Sequence, residues 1–395
     1  GGQAEFVRGG FQQDCGDYRD RPGGQAVAAG ACGAQPADGA ITRGGRSGGK
    51  RMRKRNVAIV GATGAVGEEL LGLLVERGFP YGGLRLLASP RSAGRRITVG
   101  DREFVVEALS PQSFSGIDVA FFSAGGGVSL EYVPYAVESG AVVIDNTSAF
   151  RMDPEVPLIV PEVNGEEIAK HKGIIANPNC STTIMVMVLG PLHEHTPIKR
   201  VVVSTYQAVS GAGARAIDEL EQQVRAHVAS QPLQANLLPY SAADKHYQIA
   251  FNLLPHIDSF QEMGYTREEW KMVYETQKIM GEPDLKVTAT TVRVPVIRSH
   301  SESINIEFVA PVSADEARRV LSTAPGVVVK DDPERMEYPM PIDATGKDPV
   351  YVGRIREDNS LANGLNLWVV GDQIRKGAAL NSLQIAEYMI EHNMI

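Results

Sequence analysis

The chain has 395 residues, 43% of them hydrophobic and 22% charged, with a formal charge of −8. That length and balance fit a globular protein with two cores rather than a disordered chain. The acidic charge argues against nucleic acid or an anionic membrane as a partner, and no apolar run reaches the roughly 20 residues that span a bilayer.

Residues 1–54 read as a disordered leader or extension, because "GGQAVAAGACGAQPADGAITRGGRSGGK" is rich in Gly and Ala and has no periodicity. Its arginines would suit a transit peptide, but Glu5, Asp14, Asp17, Asp20 and Asp38 would not, since such peptides are poor in acids. A cytoplasmic location is expected, with a plastid as the alternative if the leader is a transit peptide. Met52 looks like an alternative start.

The stretch "RNVAIVGATGAVGEELLGLLVERGFP" (55–80) predicts a buried strand, a glycine turn and a helix from about Ala65 to Gly78. Gly61, Gly64 and Gly67 would let a pyrophosphate approach the helix N-terminus, which points to a dinucleotide; a plain tight turn in an α/β sheet is the alternative. The next strand, 84–89, lacks the terminal acid that would bond a ribose 2′-hydroxyl. It ends instead in Ser89, Arg91, Ser92, Arg95 and Arg96, which suit the 2′-phosphate of NADP unless they form only a solvated basic loop. Further strands at 118–127 and 141–148 alternate with a helix at 129–139, so the sheet is expected to be parallel and doubly wound.

A strand at 174–176 leads through "NPNC" into an apolar helix that opens at about Cys180. The other cysteines, Cys15 and Cys32, lie in the leader, so the body has no disulfide framework. Cys180 is either a small core residue or a nucleophile whose thiolate a helix N-terminus favours. A helix follows at "REEWKMVYETQKIMG", a strand at 287–297, and an amphipathic helix at 372–392. Tyr274 and Lys278 match a Tyr-x-x-x-Lys spacing, but they lie too far from the glycine turn for a short-chain dehydrogenase. No metal-ligand spacing occurs among the scattered histidines.

Seven stretches in order, "GATGAVG", "SAGGG", "NTSAFRMD", "NPNCST", "TYQAVSGAG", "VRVPVIRSHSES" and "GDQIRKGAALN", resemble the aspartate-β-semialdehyde dehydrogenase family across 55–395. The resemblance implies an α/β fold: a Rossmann-type doubly wound parallel sheet plus a mixed α/β catalytic and dimerisation domain. It implies an NADP-binding domain at 55–179, the catalytic domain at 180–371, and a helix at 372–395 that returns to the first domain. A homodimer or homotetramer is expected.

The implied reaction is NADP-dependent reduction of L-aspartyl-4-phosphate to L-aspartate-4-semialdehyde and phosphate, serving lysine, threonine and methionine biosynthesis. By the same resemblance Cys180 is the nucleophile, His300 the acid/base and Gln207 orients the acyl intermediate. Arg293 would grip the substrate carboxylate and Glu275 its ammonium, while Arg151, Asn179 and Lys278 would bind phosphate; from spacing alone Glu275 and Lys278 read rather as an ordinary surface ion pair. Cofactor contacts are expected at Gly61, Thr63, Gly64, Ala65 and Val66, at Ser89, Arg91 and Ser92, at Ser123 and Gly125, and at Gly211 and Gln373. Three positions depart from the usual pattern: Gln373 replaces Asn, Thr291 a frequent second cysteine, and Ser299 a frequent Gly. The competing readings are N-acetyl-glutamyl-phosphate reductase, which usually frames its cysteine as "HPGCY", and a non-catalytic paralogue.

Overall fold

The computed structural model describes residues 53–395; residues 1–52, and with them nearly all of the expected leader, lie outside the described residues. The first sheet is built from β1 (Arg55–Val60), β2 (Tyr81–Ala88), β3 (Arg96–Val99), β4 (Arg102–Ala108), β5 (Val119–Phe122), β6 (Val142–Asp145) and β7 (Ile174–Ala176). Its order is β3-β4-β2-β1-β5-β6-β7, parallel except for the β3–β4 pair. The stretch read as a basic loop runs into this pair: Ser89 to Arg95 precede β3, and Arg96 lies on it, paired with Glu103.

Both faces of this sheet are covered, as an apolar run without polar alternation requires. Val57 and Ile59 point into one core with Leu70 and Leu74 of helix α1 (Ala65–Glu76). Ala58 and Val60 point into the opposite core with Val133 and Ala136 of α2 (Gly126–Glu138). The strand order reverses about β1, so the crevice beyond the C-terminal ends of β1 and β5 is where such sheets bind ligands.

A short turn, α3 (Pro161–Asn164), precedes α4 (Cys180–His195), which is buried on all sides from Ser181 to Gly190. The second sheet comprises β8 (Ile198–Gln207), β9 (Lys286–Arg293), β10 (His300–Phe308), β11 (Val327–Val329), β12 (Val350–Glu357) and β13 (Gly364–Gly371), in the order β11-β12-β13-β10-β8-β9. Period-2 alternation turns Val201, Val203, Ile304, Ile306, Leu365 and Leu367 toward α4, α6 (Arg267–Met280) and α7 (Ala314–Thr323). The helix α5 (Ala214–Val228) follows β8, and a one-turn α8 (Pro341–Ala344) precedes β12. The expected strand at 287–297 ends at Arg293, where Pro295 stops the ladder.

The C-terminal helix begins later than its periodicity suggests. A π-helical turn, Arg375–Ala379, comes first and α9 (Leu380–Glu391) comes after it, packing Leu380, Leu383, Ile385 and Met389 into the core with Val57 and Ile59. Among the described residues no helix is long and apolar enough to cross a membrane.

Candidate active site

Residues 174–182 fold as strand, turn and helix because Pro178 blocks the ladder and Asn179 caps α4. The Asn179 Oδ1 accepts from the Ser181 and Thr182 N–H groups at 3.0 and 3.2 Å. This places Cys180 on the first turn of α4, at the floor of a cavity of about 700 Å³. Behind it, fully buried at the start of β10, His300 Nε2 lies 3.5 Å from the Cys180 Sγ. The Ala208 N–H donates to His300 Nδ1 at 3.1 Å, so the hydrogen of the neutral ring sits on Nε2 and faces the sulfur.

Cys180 and His300 are both neutral in this setting. Burial pushes the thiol up to about 12, and the Glu268 charge adds to the rise against Arg293 and Arg151. Burial also holds the imidazole down to about 3, and the Arg293 charge acts in the same direction. The helix N-terminus acts in the expected direction, since the Ser181 N–H lowers the thiol, but burial outweighs it. One helix end supplies a fraction of a charge, whereas burial removes the solvation of a whole one.

Arg293, Arg151, Gln207 and Asn179 line the same cavity, as expected from the sequence. The Arg293 Nη1 donates to the Ala208 carbonyl at 2.8 Å, while its buried Nε has no partner. Arg151 is clamped by the Asn177 and Asn146 carbonyls and by Glu275. The Asn179 Nδ2 donates one of its two hydrogens to Glu268 at 2.8 Å while the residue lines the cavity.

Two expectations are corrected. Glu275 is buried outside the cavity, where it pairs with Arg151 at 3.0 Å and accepts from the Asn179 N–H at 2.6 Å. Lys278 points away from Cys180 and donates to the Arg151, Asp153 and Val156 carbonyls. The charged pair that does line the cavity is Glu268 and Lys271, seven residues earlier on α6. Seven residues make about two turns, so both pairs share a face but lie about 10 Å apart along the axis. Burial alone would raise the Glu268 carboxyl, but Lys271 at 3.0 Å and the Asn179 amide hold it down to about 2. Asp258 completes the group, 3.1 Å from the Lys271 Nζ. The signal for Glu268 and Lys271 was the same Glu-x-x-Lys spacing, beginning inside the Thr266–Glu269 capping box.

The cavity continues past Ser123 and Val66 toward the β1–α1 turn, which holds Gly61, Thr63, Gly64 and Ala65. Gly61 has φ 91°, and a Cβ there would lie 2.6 Å from the Ser123 carbonyl oxygen, so only glycine lets the β1 and β5 turns meet. Neither α1, which starts after Gly64, nor α2, which starts after Gly125, has a side-chain cap. Their free N–H groups converge on the crevice and fit a pyrophosphate. Ser89, Arg91 and Ser92 stand at the end of β2, the neighbouring strand. Gly211 packs against Arg293 and His300, and the Gln373 amide bonds to Ser299 and Ser210.

A family model described as "Semialdehyde dehydrogenase, NAD binding domain" matches residues 56–171, and one described as "Semialdehyde dehydrogenase, dimerisation domain" matches residues 189–376. The aspartate-semialdehyde dehydrogenase of Aquifex aeolicus is 55% identical over 86% of this chain and 99% of its own length. A solved structure of aspartate semialdehyde dehydrogenase II from Vibrio cholerae, complexed with ASA, superposes with a TM-score of 0.82 at 45% identity, covering 86% of this chain and 99% of that one. The enzyme from Candida albicans with NADP gives 0.68 at 27% identity, covering 87% and 100%. A cysteine and histidine joined at the floor of a charged cavity, on a fold shared along nearly the whole length of these enzymes, place this chain in the aspartate-semialdehyde dehydrogenase family.

Proposed function

We propose that the chain is an NADP-dependent, phosphorylating aspartate-semialdehyde dehydrogenase that reduces L-aspartyl-4-phosphate to L-aspartate-4-semialdehyde and phosphate, a step toward lysine, threonine and methionine. The observation that carries this reading is the Cys180–His300 contact at 3.5 Å in a cavity whose charges complement such a substrate. The unpartnered Arg293 Nε, beside its free second Nη, suits the α-carboxylate. Glu268, held ionised, suits the ammonium, and Lys271 with Arg151 suits the phosphate.

In the biosynthetic direction the Cys180 sulfur bonds to C4 of the substrate, the C–O bond to phosphate breaks to leave a thioester, and the thiol proton leaves with the phosphate. The His300 Nε2–H faces the sulfur and stabilises the thiolate as a hydrogen-bond donor. Gln207, whose Nε2 is loosely held by Thr205 and Glu268 at 3.3 and 3.4 Å, orients the acyl group. NADPH, when bound, supplies the hydride for the thioester carbon. As the C–S bond breaks, the sulfur leaves as a thiolate held by the His300 Nε2–H, a proton from solvent restores the thiol, and the aldehyde leaves.

The glycine crevice and the Ser89, Arg91 and Ser92 turn would hold the cofactor, with Arg91 beside the 2′-phosphate. The partly exposed face of the second sheet, with Tyr206, Ser303 and Trp368, suits a homodimer. The test is NADP reduction by the full chain with L-aspartate-4-semialdehyde, with and without inorganic phosphate and with NAD in parallel. Phosphate-dependent NADPH formation is expected; none from a folded protein that binds NADP overturns the reading.

A further inference from the structure

His300 is preceded by a strained residue. Ser299 has φ 77°, the left-handed region that an L side chain disfavours. Three bonds meet there. The Ser299 N–H donates to Gln373 Oε1 at 2.8 Å, the Ser299 Oγ lies 2.9 Å from Thr345 Oγ1, and the neighbouring Arg298 pairs with Asp372 at 2.7 Å. The other end of the Gln373 amide donates to the Ser210 Oγ at 2.5 Å. Ser210 belongs to the turn that begins after Ala208, and the Ala208 N–H holds the His300 Nδ1.

Gln373 thus spans two backbone turns that grip one imidazole, the first through its main chain and the second through its ring. We infer that Gln373 is a positioning residue for His300: by bridging Ser299 and Ser210 it keeps the strained turn in place and holds Nε2 toward the Cys180 sulfur. The inference rests on reading His300 as the proton partner of Cys180. It is separate from the expected cofactor contact: one bond at each end of the amide is made within the protein, although Gln373 also lines the cavity.

Without the bridge, Ser299 is free to return to negative φ and swing the adjoining His300 away. Glycine at 299 would feel no such pull, because it adopts positive φ without strain.

The test compares Gln373→Met, which keeps the volume and removes the amide, in the natural chain and in a Ser299→Gly background. Three quantities are read: kcat and KM with semialdehyde, NADP binding by fluorescence titration, and the rate of iodoacetamide alkylation mapped to Cys180 in the ligand-free protein. In the natural chain, kcat and the alkylation rate are expected to fall roughly five- to tenfold, the loss of one hydrogen bond and the release of one strained residue. KM and NADP affinity are expected to stay within about twofold, and Ser299→Gly should recover most of the loss. If Gln373→Met does not fold, Ser210→Ala removes the other end of the bridge and carries the same expectation.

An unchanged kcat, an equal loss in both backgrounds, or a loss confined to NADP binding each overturns the inference. Alkylation needs no substrate, so it decides the matter even if the proposed reaction is absent.

Discussion

Replacing Glu268 by Gln separates two effects of one charge. The carboxylate lines the cavity, accepts from Asn179 at 2.8 Å and pairs with Lys271 at 3.0 Å. If it receives the substrate ammonium, losing its charge removes a charge-assisted hydrogen bond worth about 1.5–3 kcal/mol, or roughly ten- to a hundredfold in kcat/KM. The same charge raises the Cys180 thiol, so Glu268→Gln should lower the thiol and quicken its alkylation in the ligand-free protein. Stability should also change. The folded carboxyl sits at about 2, below its ordinary 4.5, so it contributes stability that is present above 4.5 and lost as pH falls toward 2. That shift corresponds to at most about 3 kcal/mol at neutral pH. The assays are steady-state kinetics, alkylation mapped to Cys180, and urea unfolding at pH 7. Slower turnover together with slower alkylation would refute the reasoning, because it would mean that Glu268 acts by shaping the site rather than by its charge.

Glu275→Gln should behave differently: it leaves Arg151 buried without its partner and should cost about 3–5 kcal/mol in urea unfolding, with no gain in Cys180 alkylation. A Glu275 variant of unchanged stability would return that residue to the substrate. Arg293→Lys should raise KM for semialdehyde about tenfold or more, since a point charge cannot replace the planar fork; a mild effect would show that the α-carboxylate is anchored elsewhere. Glu302 is fully buried on β10, neither carboxyl oxygen has a partner, and burial holds it well above its ordinary value. Above pH 4.5 the unfolded chain gives up this proton and the folded chain keeps it, so folding weakens as pH rises. Glu302→Gln should remove that slope, stabilising the protein more at pH 8 than at pH 5; equal effects at both would show that Glu302 is ionised in place.

The features legible in the sequence were local. The β1–glycine–α1 unit, the apolar α4 and the position of Cys180 at its first turn all arise from contiguous residues whose periodicity and turn chemistry agree. Two kinds of feature escaped. The choice between Glu268–Lys271 and Glu275–Lys278 is invisible to periodicity, because a shift of two helical turns preserves the face and the spacing; only the approach of the N-terminal end of α6 to Cys180 decides it. The protonation of Cys180 and His300 escaped because it depends on packing from β8, β9 and α6, far apart in the chain, and that packing outweighs the helix end seen in "NPNCST". The Asn179 amide illustrates both limits: its place at the helix start is local, but its capture by Glu268 is not.

The neutral Cys180–His300 pair also bears on when the site becomes reactive. Burial holds the His300 imidazole down and Arg293, buried in the cavity with an unpartnered nitrogen, adds to the effect. On the proposed reading, the α-carboxylate that binds this guanidinium offsets its charge, and the phosphate adds further negative charge nearby. Both changes raise the proton affinity of His300, because an anion favours imidazolium as a cation disfavours it. Burial, the larger cause of the low imidazole, remains, so bound substrate lessens the bias against imidazolium without removing it. A shorter aldehyde lacking the α-carboxylate would leave the Arg293 part of that bias in full. On this argument selectivity acts through the chemistry of the Cys180–His300 pair as well as through binding.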